Sequence, residues 1–245
     1  MIELKNRTAL VTGASRGMGR AIAIALGQAG ARVAINYRER TAEAEATAEE
    51  IRKRGGRTDI FAADVSEAAA VNTLVRDVEE HLGAIDILVN NAGIAPVRGL
   101  DDITEADFDR TLTTNLKSAF LCTQAVVPGM RQRRWGRVIN ISSIGARIGA
   151  GTVSVAYGAS KAGLEGLTRA YALRLAAEGI TVNAVSPGLI DTDMGKALID
   201  AGLANRIPVK RAGRGDEIAH AVLFVVGNDF VTGQTIGVNG GTLFS

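Results

Sequence analysis

Short apolar runs alternate with longer stretches of helical apolar spacing along the whole chain. The short runs predict strands at Thr8–Val11, Arg32–Asn36, Asp59–Ala62, Ile85–Asn90, Arg137–Ser142, Thr181–Ser186 and Thr235–Val238. The longer stretches predict helices at Ala42–Arg54, Ala68–Leu82, Phe108–Arg134, Ser154–Glu178 and Asp216–Val226. This alternation predicts an α/β fold, in which a doubly wound parallel sheet of about seven strands carries helices on both faces.

The chain has the size of one large α/β domain. It contains 245 residues, and no linker rich in Pro, Gly or Ser, no repeat and no low-complexity tract interrupts the alternation. We therefore predict a single domain over residues 1–245. Ligands of a doubly wound sheet bind beyond the carboxyl ends of its strands. In this prediction those ends carry Gly13, Asp64, Asn91, Ser143 and Pro187.

A glycine-rich segment follows the first predicted strand. It reads Thr12-Gly13-Ala14-Ser15-Arg16-Gly17-Met18-Gly19, and the helical pattern Arg20–Leu26 comes directly after it. Strand, turn and helix in this order are typical of a Rossmann-type fold, where backbone N–H groups approach a pyrophosphate at the helix N-terminus. The spacing G-x-x-x-G-x-G fits the commoner G-x-G-x-x-G fingerprint only loosely, and a glycine-rich turn without a ligand is the alternative.

Tyr157 and Lys161 stand four residues apart in a predicted helix, 14 residues after Ser143. Side chains at this spacing lie on one helix face, so the hydroxyl and the ammonium can point into the same space. The pKa of a free phenol is about 10, and a cation within about 4–6 Å lowers it toward neutrality. This pair predicts a tyrosine that acts as a general acid or base. An ordinary amphipathic helix can also carry the same pair.

Charge and composition exclude other classes of function. With 28 basic and 26 acidic residues, the chain offers no electrostatic case for nucleic-acid binding. His81 and His220 are far apart, so we expect no metal site. The only cysteine, Cys122, cannot form an internal disulfide, and we expect a buried hydrophobe in a reducing compartment. Because Met1–Lys5 lacks a signal-peptide core and no apolar run reaches the ~18 residues of a membrane span, we expect a cytoplasmic protein without a membrane partner.

With these features the chain resembles the short-chain dehydrogenase/reductase family over essentially its whole length. Within that family it looks most similar to the 3-oxoacyl-[acyl-carrier-protein] reductases. The matching motifs come in the family's order: Thr12–Gly19, Asp64-Val65, Asn90–Gly93, Asn115, Ser143, Tyr157 with Lys161, Pro187–Thr192 and Gly233–Gly241.

The resemblance implies a role for each of four catalytic residues. Tyr157 would donate a proton to the carbonyl oxygen as hydride arrives, and Lys161 would lower the pKa of Tyr157 and bind the nicotinamide ribose. Ser143 would hold the substrate carbonyl; Ser142 is its rival, because adjacent strand residues face opposite ways. Asn115 would support a water that relays protons to Lys161, and a helix-surface amide is the alternative.

The glycine-rich turn and the resemblance together imply a set of cofactor contacts. The set is Gly13, Ser15, Arg16, Gly17, Met18, Gly19, Asn36, Arg38, Asp64, Val65, Asn91, Ala92, Gly93, Tyr157, Lys161, Pro187, Gly188, Ile190 and Thr192.

The end of the second strand indicates which nicotinamide dinucleotide is bound. NAD-specific sites place an acid there for the ribose 2′-OH, but this strand ends in Asn36-Tyr37-Arg38. Arg16 and Arg38 can pair with a 2′-phosphate instead. We predict NADP(H). Adjacent Glu39 favours NAD(H), the alternative, and both arginines can also be ordinary solvated side chains.

Two segments bear on the substrate and its carrier. Asp193–Pro208 has apolar residues at roughly helical spacing and resembles a flap over the substrate, although a surface helix gives the same pattern. The basic run Arg131–Arg134 includes Arg134, whose position resembles one that docks an acidic acyl carrier protein. Cations at a helix end also complement its dipole. A second docking position falls on Glu178, and an acid there would repel such a carrier.

We therefore predict an NADP(H)-dependent reductase that converts the ketone of a small substrate, such as a 3-oxoacyl thioester, to a secondary alcohol. A sugar, polyol or other secondary-alcohol dehydrogenase of the same family is one alternative. A dinucleotide-binding sensor without turnover is an alternative of another class. The resemblance also implies a homotetramer, paired through the long helices and the C-terminal strand.

Overall fold

Seven strands form one parallel sheet in the computed structural model, which describes residues 2–149 and 153–244. The strand order is β3-β2-β1-β4-β5-β6-β7, and every neighbouring pair is parallel. The strands are β1 (Thr8–Val11), β2 (Arg32–Tyr37), β3 (Thr58–Ala62), β4 (Ile85–Asn90), β5 (Gly136–Ile141), β6 (Ile180–Pro187) and β7 (Thr235–Val238).

Helices cover both faces of the sheet. They are α1 (Gly17–Gln28), α2 (Thr41–Lys53), α3 (Ala68–Leu82), α4 (Glu105–Leu112), α5 (Ser118–Arg133), α6 (Gly145–Ile148), α7 (Val155–Leu175), α8 (Lys196–Asp200) and α9 (Gly215–Gly227). Buried side chains of α1, α2 and α9 form one apolar cluster with one face of the sheet. Those of α3, α5 and α7 form a second cluster with the other face, and this cluster includes Cys122.

The architecture confirms the α/β fold with a seven-stranded parallel sheet and helices on both faces. Every strand was placed within one residue of its observed ends. The predicted helix Phe108–Arg134 was wrong in two respects. A capping box between Thr104 and Asp107 begins the helix at Glu105, and a π-helical turn, Thr113–Lys117, separates α4 from α5. The predicted helix Ser154–Glu178 ends at Leu175, where the chain tightens into a 3₁₀ turn before Gly179.

The strand order reverses between β1 and β4. The chain leaves β1 toward β2 and β3 and returns to pair β4 with β1, so connections on the two sides diverge at this point. Such a switch point opens a crevice at the carboxyl ends of the strands. The glycine-rich turn after β1 and the segment after β4 border this crevice.

A cluster of arginines surrounds Trp135 at the opposite end of the sheet. The guanidinium carbons of Arg7 and Arg137 lie 3.7 Å and 4.3 Å from the centroid of the Trp135 ring. Arg7 and Arg133 also contact the buried carboxylate of Asp86, at 3.3 Å and 3.5 Å. Ion pairs and cation–π contacts therefore join the amino ends of β1, β4 and β5, remote from the crevice.

Candidate active site

The glycine-rich turn joins β1 to α1 in a conformation that requires glycine. Gly13 and Gly17 have φ of 61° and 57°, which L side chains rarely adopt. A Cβ on Gly19 would lie 2.5 Å from the Asn91 side-chain nitrogen and 2.5 Å from the Gly13 carbonyl oxygen. The turn is therefore held against the end of β4 with no room for a side chain, which leaves its backbone open to the crevice.

Asparagine side chains fix the turn to its neighbours. Asn91 Nδ2 donates to the carbonyls of Thr12 and Gly13, at 2.9 Å and 3.0 Å. Asn36 Oδ1 accepts a hydrogen bond from Gly13 N, and its Nδ2 donates to the Ala63 carbonyl. Thr12, which the sequence analysis missed, accepts the N–H groups of Asn91 and Ala92 on its hydroxyl. Its position directly after the strand was the available signal.

The expected cofactor contacts divide into two groups. A continuous groove beside the turn is lined by Gly13, Ser15, Arg16, Gly17, Met18, Gly19, Asn36, Arg38, Asp64, Val65, Asn91, Ala92, Gly93 and Thr192. It also contains residues outside the expected set: Tyr37, Glu39, Arg40, Ala63, Ile94, Thr114 and Met194.

Five expected contacts lie outside this groove: Tyr157 and Lys161 on α7, and Pro187, Gly188 and Ile190 at the β6–β7 edge. Ile190 is buried and pairs with Gly213. The Pro187 carbonyl accepts the Ile144 N–H, and Gly188 N donates to Val238 O. These backbone contacts pack the chain that leads from β6 to the expected flap.

Both arginines that were expected to meet a 2′-phosphate are paired with carboxylates. Arg38 contacts Glu39 at 2.7 Å and Asp64 at 3.7 Å. Although partial burial opposes the change, hydrogen bonds from Ser66 and the charge of Arg38 lower the pKa of Asp64. Arg16 forms an ion pair with Asp193, which belongs to the expected flap. Arg16 and Arg38 are both half-exposed, so a bound anion can compete with these carboxylates for them.

Tyr157 and Ser143 meet at the carboxyl end of β5. Ser143 follows the strand, Tyr157 lies in the first turn of α7, and their hydroxyls are neighbours. Burial raises the pKa of the Tyr157 hydroxyl, and the neighbouring Ser143 hydroxyl lowers it by less. Tyr157 is therefore protonated at neutral pH.

Lys161 is buried one turn after Tyr157. Its Nζ donates to the Ile141 carbonyl at 2.8 Å and lies 5.8 Å from the centroid of the Tyr157 ring. Burial lowers the pKa of Lys161 from its ordinary value of 10.5 to about 8. Burial is the larger influence on the pKa of Tyr157, and the lowering by Lys161 that the resemblance implies stays a prediction.

Asn115 lies at the centre of the π turn and is 1% exposed. Its Oδ1 accepts the Ile94 N–H at 2.8 Å, and its Nδ2 donates to Ile94 O and to Ser160 Oγ. It is thus no surface amide. A Cβ on Gly93 would lie 3.2 Å from Asn115 Oδ1 and 3.6 Å from Lys161 Nζ. Asn115 therefore anchors the segment after β4 to the helix of Tyr157 and Lys161.

Two loops meet in front of these residues. Val97 and Val153 form an isolated antiparallel bridge, and Ser154 N donates to Pro96 O. The segment after Asp193 folds into the short helix α8 and a 3₁₀ turn, Leu203–Arg206. The site thus combines a groove beside the glycine-rich turn with the side chains of Ser143, Tyr157 and Lys161.

The described residues give no sign of two other kinds of site. Within residues 2–149 and 153–244, no group of three or more His, Cys, Asp or Glu is arranged to hold a metal ion. Nor does this part of the chain contain a helix long and apolar enough to cross a membrane.

Comparison with known proteins places this fold and site in a family. A family model described as "Enoyl-(Acyl carrier protein) reductase" matches residues 13–242. The 3-oxoacyl-[acyl-carrier-protein] reductase FabG of Staphylococcus epidermidis is 44% identical over 242 residues, which cover 96% of this chain and 98% of that protein. The chain therefore belongs to the short-chain dehydrogenase/reductase family. It is an oxidoreductase that acts on CH–OH or C=O groups and uses a nicotinamide dinucleotide.

Other relatives have different substrates in their names. The (2S)-[(R)-hydroxy(phenyl)methyl]succinyl-CoA dehydrogenase subunit BbsD of Thauera aromatica is 42% identical, with 97% of each chain covered. The crystal structure of a putative gluconate dehydrogenase from Agrobacterium tumefaciens superposes with a TM-score of 0.93 and 37% identity, with 100% of both chains covered.

The buried ammonium predicts a pH-dependent difference in stability between wild type and Lys161→Met. Between pH 8 and 10.5 the unfolded chain holds the Lys161 proton and the folded chain does not, so the wild type gains stability as pH rises. We expect its free energy of unfolding, measured without cofactor by urea titration, to gain about 3 kcal/mol relative to Lys161→Met across this window.

Lys53→Met is the matched control, because Lys53 is exposed and pairs only with Glu49 at 3.7 Å. This control should follow the wild type at every pH. If the free energies of unfolding of Lys161→Met and wild type changed in parallel with pH, burial of the ammonium would not destabilise the fold.

Proposed function

We propose that this protein reduces the ketone of a 3-oxoacyl thioester to a secondary alcohol. The observation that carries the proposal is the neighbouring pair of hydroxyls on Tyr157 and Ser143, together with the buried ammonium of Lys161 and the groove beside the glycine-rich turn. The relatives support the choice of substrate class, since several are 3-oxoacyl reductases by name and one is a dehydrogenase of an acyl-CoA.

The residues divide the chemistry between them. When bound, the reduced nicotinamide supplies the hydride that forms the new C–H bond. Ser143 donates a hydrogen bond to the substrate carbonyl oxygen, and the Tyr157 hydroxyl gives its proton to that oxygen as negative charge develops. The Lys161 ammonium offsets the charge left on the Tyr157 oxygen. Because the Tyr157 hydroxyl is protonated at neutral pH, it suits proton donation, which is the reductive direction.

Replacement of Tyr157 by Phe tests this assignment. Since the variant lacks the proton donor, kcat/KM for acetoacetyl-CoA reduction should fall about 10²- to 10⁴-fold, with binding of the cofactor retained. Loss of absorbance at the reduced-nicotinamide band measures the rate, and titration of cofactor fluorescence measures binding. Tyr171→Phe is the control, because it removes another helix α7 hydroxyl, one bonded to Gln124.

Each result of this assay decides between the candidate functions. Equal turnover in Tyr157→Phe and wild type would remove Tyr157 from the mechanism. If the wild type leaves acetoacetyl-CoA unchanged but oxidises gluconate or a polyol, the protein is a sugar or polyol dehydrogenase. The similarity to the gluconate dehydrogenase structure favours this alternative. If the wild type binds a dinucleotide yet turns over neither ketones nor alcohols, the protein is a sensor.

We also propose that the cofactor is NADP(H). In support, β2 ends in Asn36 and Tyr37 without an acid, and Arg38 stands at the rim of the groove. A 2′-phosphate carries more charge than the Glu39 carboxylate, so it can displace Glu39 from Arg38. The 2′-phosphate can likewise displace Asp193 from its ion pair with Arg16.

Arg38→Ala should therefore raise the KM for NADPH at least tenfold and leave the KM for NADH nearly unchanged, measured in the same absorbance assay. Arg40→Ala is the control, because Arg40 lines the same groove and pairs with Glu43. An equal rise in KM for both nucleotides would contradict recognition of the 2′-phosphate by Arg38.

The basic run Arg131–Arg134 supports a thioester substrate that does not depend on an acidic carrier protein. Arg131 forms an ion pair with Glu178 at 2.8 Å, and Arg133 contacts Asp86. Arg134 donates to the Ala177 carbonyl. Glu178 places a negative charge beside Arg131, which would repel an acidic carrier, so we propose that the acyl group, rather than its carrier, is recognised.

A homotetramer in the cytoplasm completes the proposal. An apolar groove between α7 and the segment from α4 to α5 is lined in part by Leu112, Leu116 and Leu167. Phe120 beside it is 43% exposed, which suits a helix pair from a second copy.

Activity in the soluble fraction of the source cells would support the cytoplasmic location, and activity in the membrane fraction would contradict it.

Light scattering should give the wild type about four times the 25.5 kDa chain mass, whereas Phe120→Glu should have a smaller mass, because a charge enters the groove. Leu100→Glu is the control, as Leu100 is 77% exposed and belongs neither to the groove nor to the C-terminal strand. A wild-type monomer or dimer would contradict the tetramer.

A further inference from the structure

Glu165 is a buried carboxylate that the mechanism above leaves unused. It lies on α7 one turn after Lys161, and its side chain is only 7% exposed. Burial of a carboxylate is costly unless hydrogen bonds and opposite charge compensate it. Its partners therefore indicate what this carboxylate holds in place.

Those partners lie on either side of Ser143 in the chain. The Ser142 hydroxyl lies 3.2 Å from Glu165 Oε1 and 3.3 Å from the Lys161 carbonyl oxygen. Arg147, in the short helix α6, places its Nε 3.5 Å from Glu165 Oε2. A single carboxylate thus binds the residue before Ser143 and a residue four positions after it.

The Ser143 hydroxyl is fixed between these two anchors. Its Oγ accepts the N–H of Gly145, the first residue of α6, at 3.0 Å. That contact occupies a lone pair and leaves the proton of Ser143 free to point toward the substrate side. A shift of α6 or of Ser142 would move this hydroxyl relative to Tyr157.

Tyr157 and Glu165 belong to the same helix. Helix α7 is continuous from Val155 to Leu175 and carries both Tyr157 and Glu165. The contacts of Glu165 therefore fix the position of Ser143 relative to Tyr157. The Ser142 hydroxyl has one proton for two acceptors, and the charge of Glu165 makes it a stronger acceptor than the Lys161 carbonyl.

We propose that Glu165 is a positioning residue for the reaction, which acts through Ser142 and Arg147 to hold the Ser143 hydroxyl against Tyr157. The proposal rests on the oxidoreductase function proposed above. Glu165 touches neither the cofactor groove nor Tyr157, so its effect falls on the catalytic step rather than on binding of the dinucleotide.

Glu165→Gln tests the proposal, since it keeps an oxygen for Ser142 but removes the charge that holds Arg147. We expect kcat to fall about tenfold with the dissociation constant of the reduced cofactor unchanged, because a misplaced hydroxyl weakens only the transition-state contact. Arg147→Gln should reproduce this loss. Glu178→Gln, which breaks the remote Arg131 ion pair, should leave kcat within twofold of wild type.

The Ser143→Ala background separates positioning from a general structural role. If Glu165 acts through Ser143, the double variant Ser143→Ala/Glu165→Gln should have the same kcat as Ser143→Ala alone. An equal factor of loss in both backgrounds, or a kcat of Glu165→Gln within twofold of wild type, would overturn the proposal. A wild type inactive toward every ketone and alcohol would instead refute the proposed function itself.

Discussion

Burial of the Lys161 ammonium is the constraint on which the arrangement of the site depends. A charge in this position loses most of its hydration, as the lowering of its pKa to about 8 shows, so the fold must hold it with fixed partners. The Ile141 carbonyl supplies one such partner, and the absence of a side chain at Gly93 leaves room beside it. The same packing that makes the lysine costly keeps Tyr157 protonated. The pKa shifts of both groups and the loss of stability at neutral pH therefore have one origin, burial.

Amide side chains provide most of the rigidity around this centre. Asn36 and Asn91 bind the backbone of the glycine-rich turn, and Asn115 binds both polar backbone groups of Ile94. Each amide offers a donor and an acceptor in fixed geometry, so one side chain can fasten a whole loop without bringing in a charge. Asn115 reaches Ile94 from a π turn, a local change of helical repeat that is frequent at functional sites.

The hydrophobic pattern of the sequence predicted the strands well. Strand ends followed apolar runs, and the pairing of Ser143 with Tyr157 agrees with the family motif. The start of α4 was missed because the apolar periodicity begins only at Phe108. The capping box formed by Thr104 and Asp107 was the signal for the true start. The roles of Glu165 and Asp193 could not be predicted, since their partners Arg147 and Arg16 are distant in sequence and meet only through the topology.

Trp135 gives the protein an optical property that follows from its place in the sheet. It is the chain's only tryptophan and stands at the amino end of β5, while Ser143 lies beyond the carboxyl end. Six residues of strand at ~3.3 Å each separate the two ends by about 20 Å. Indole emission overlaps the absorption of reduced but not of oxidised nicotinamide. With the nicotinamide beside Ser143, as proposed, energy transfer over this distance would make the intrinsic fluorescence of the protein a reporter of the redox state of its bound nucleotide.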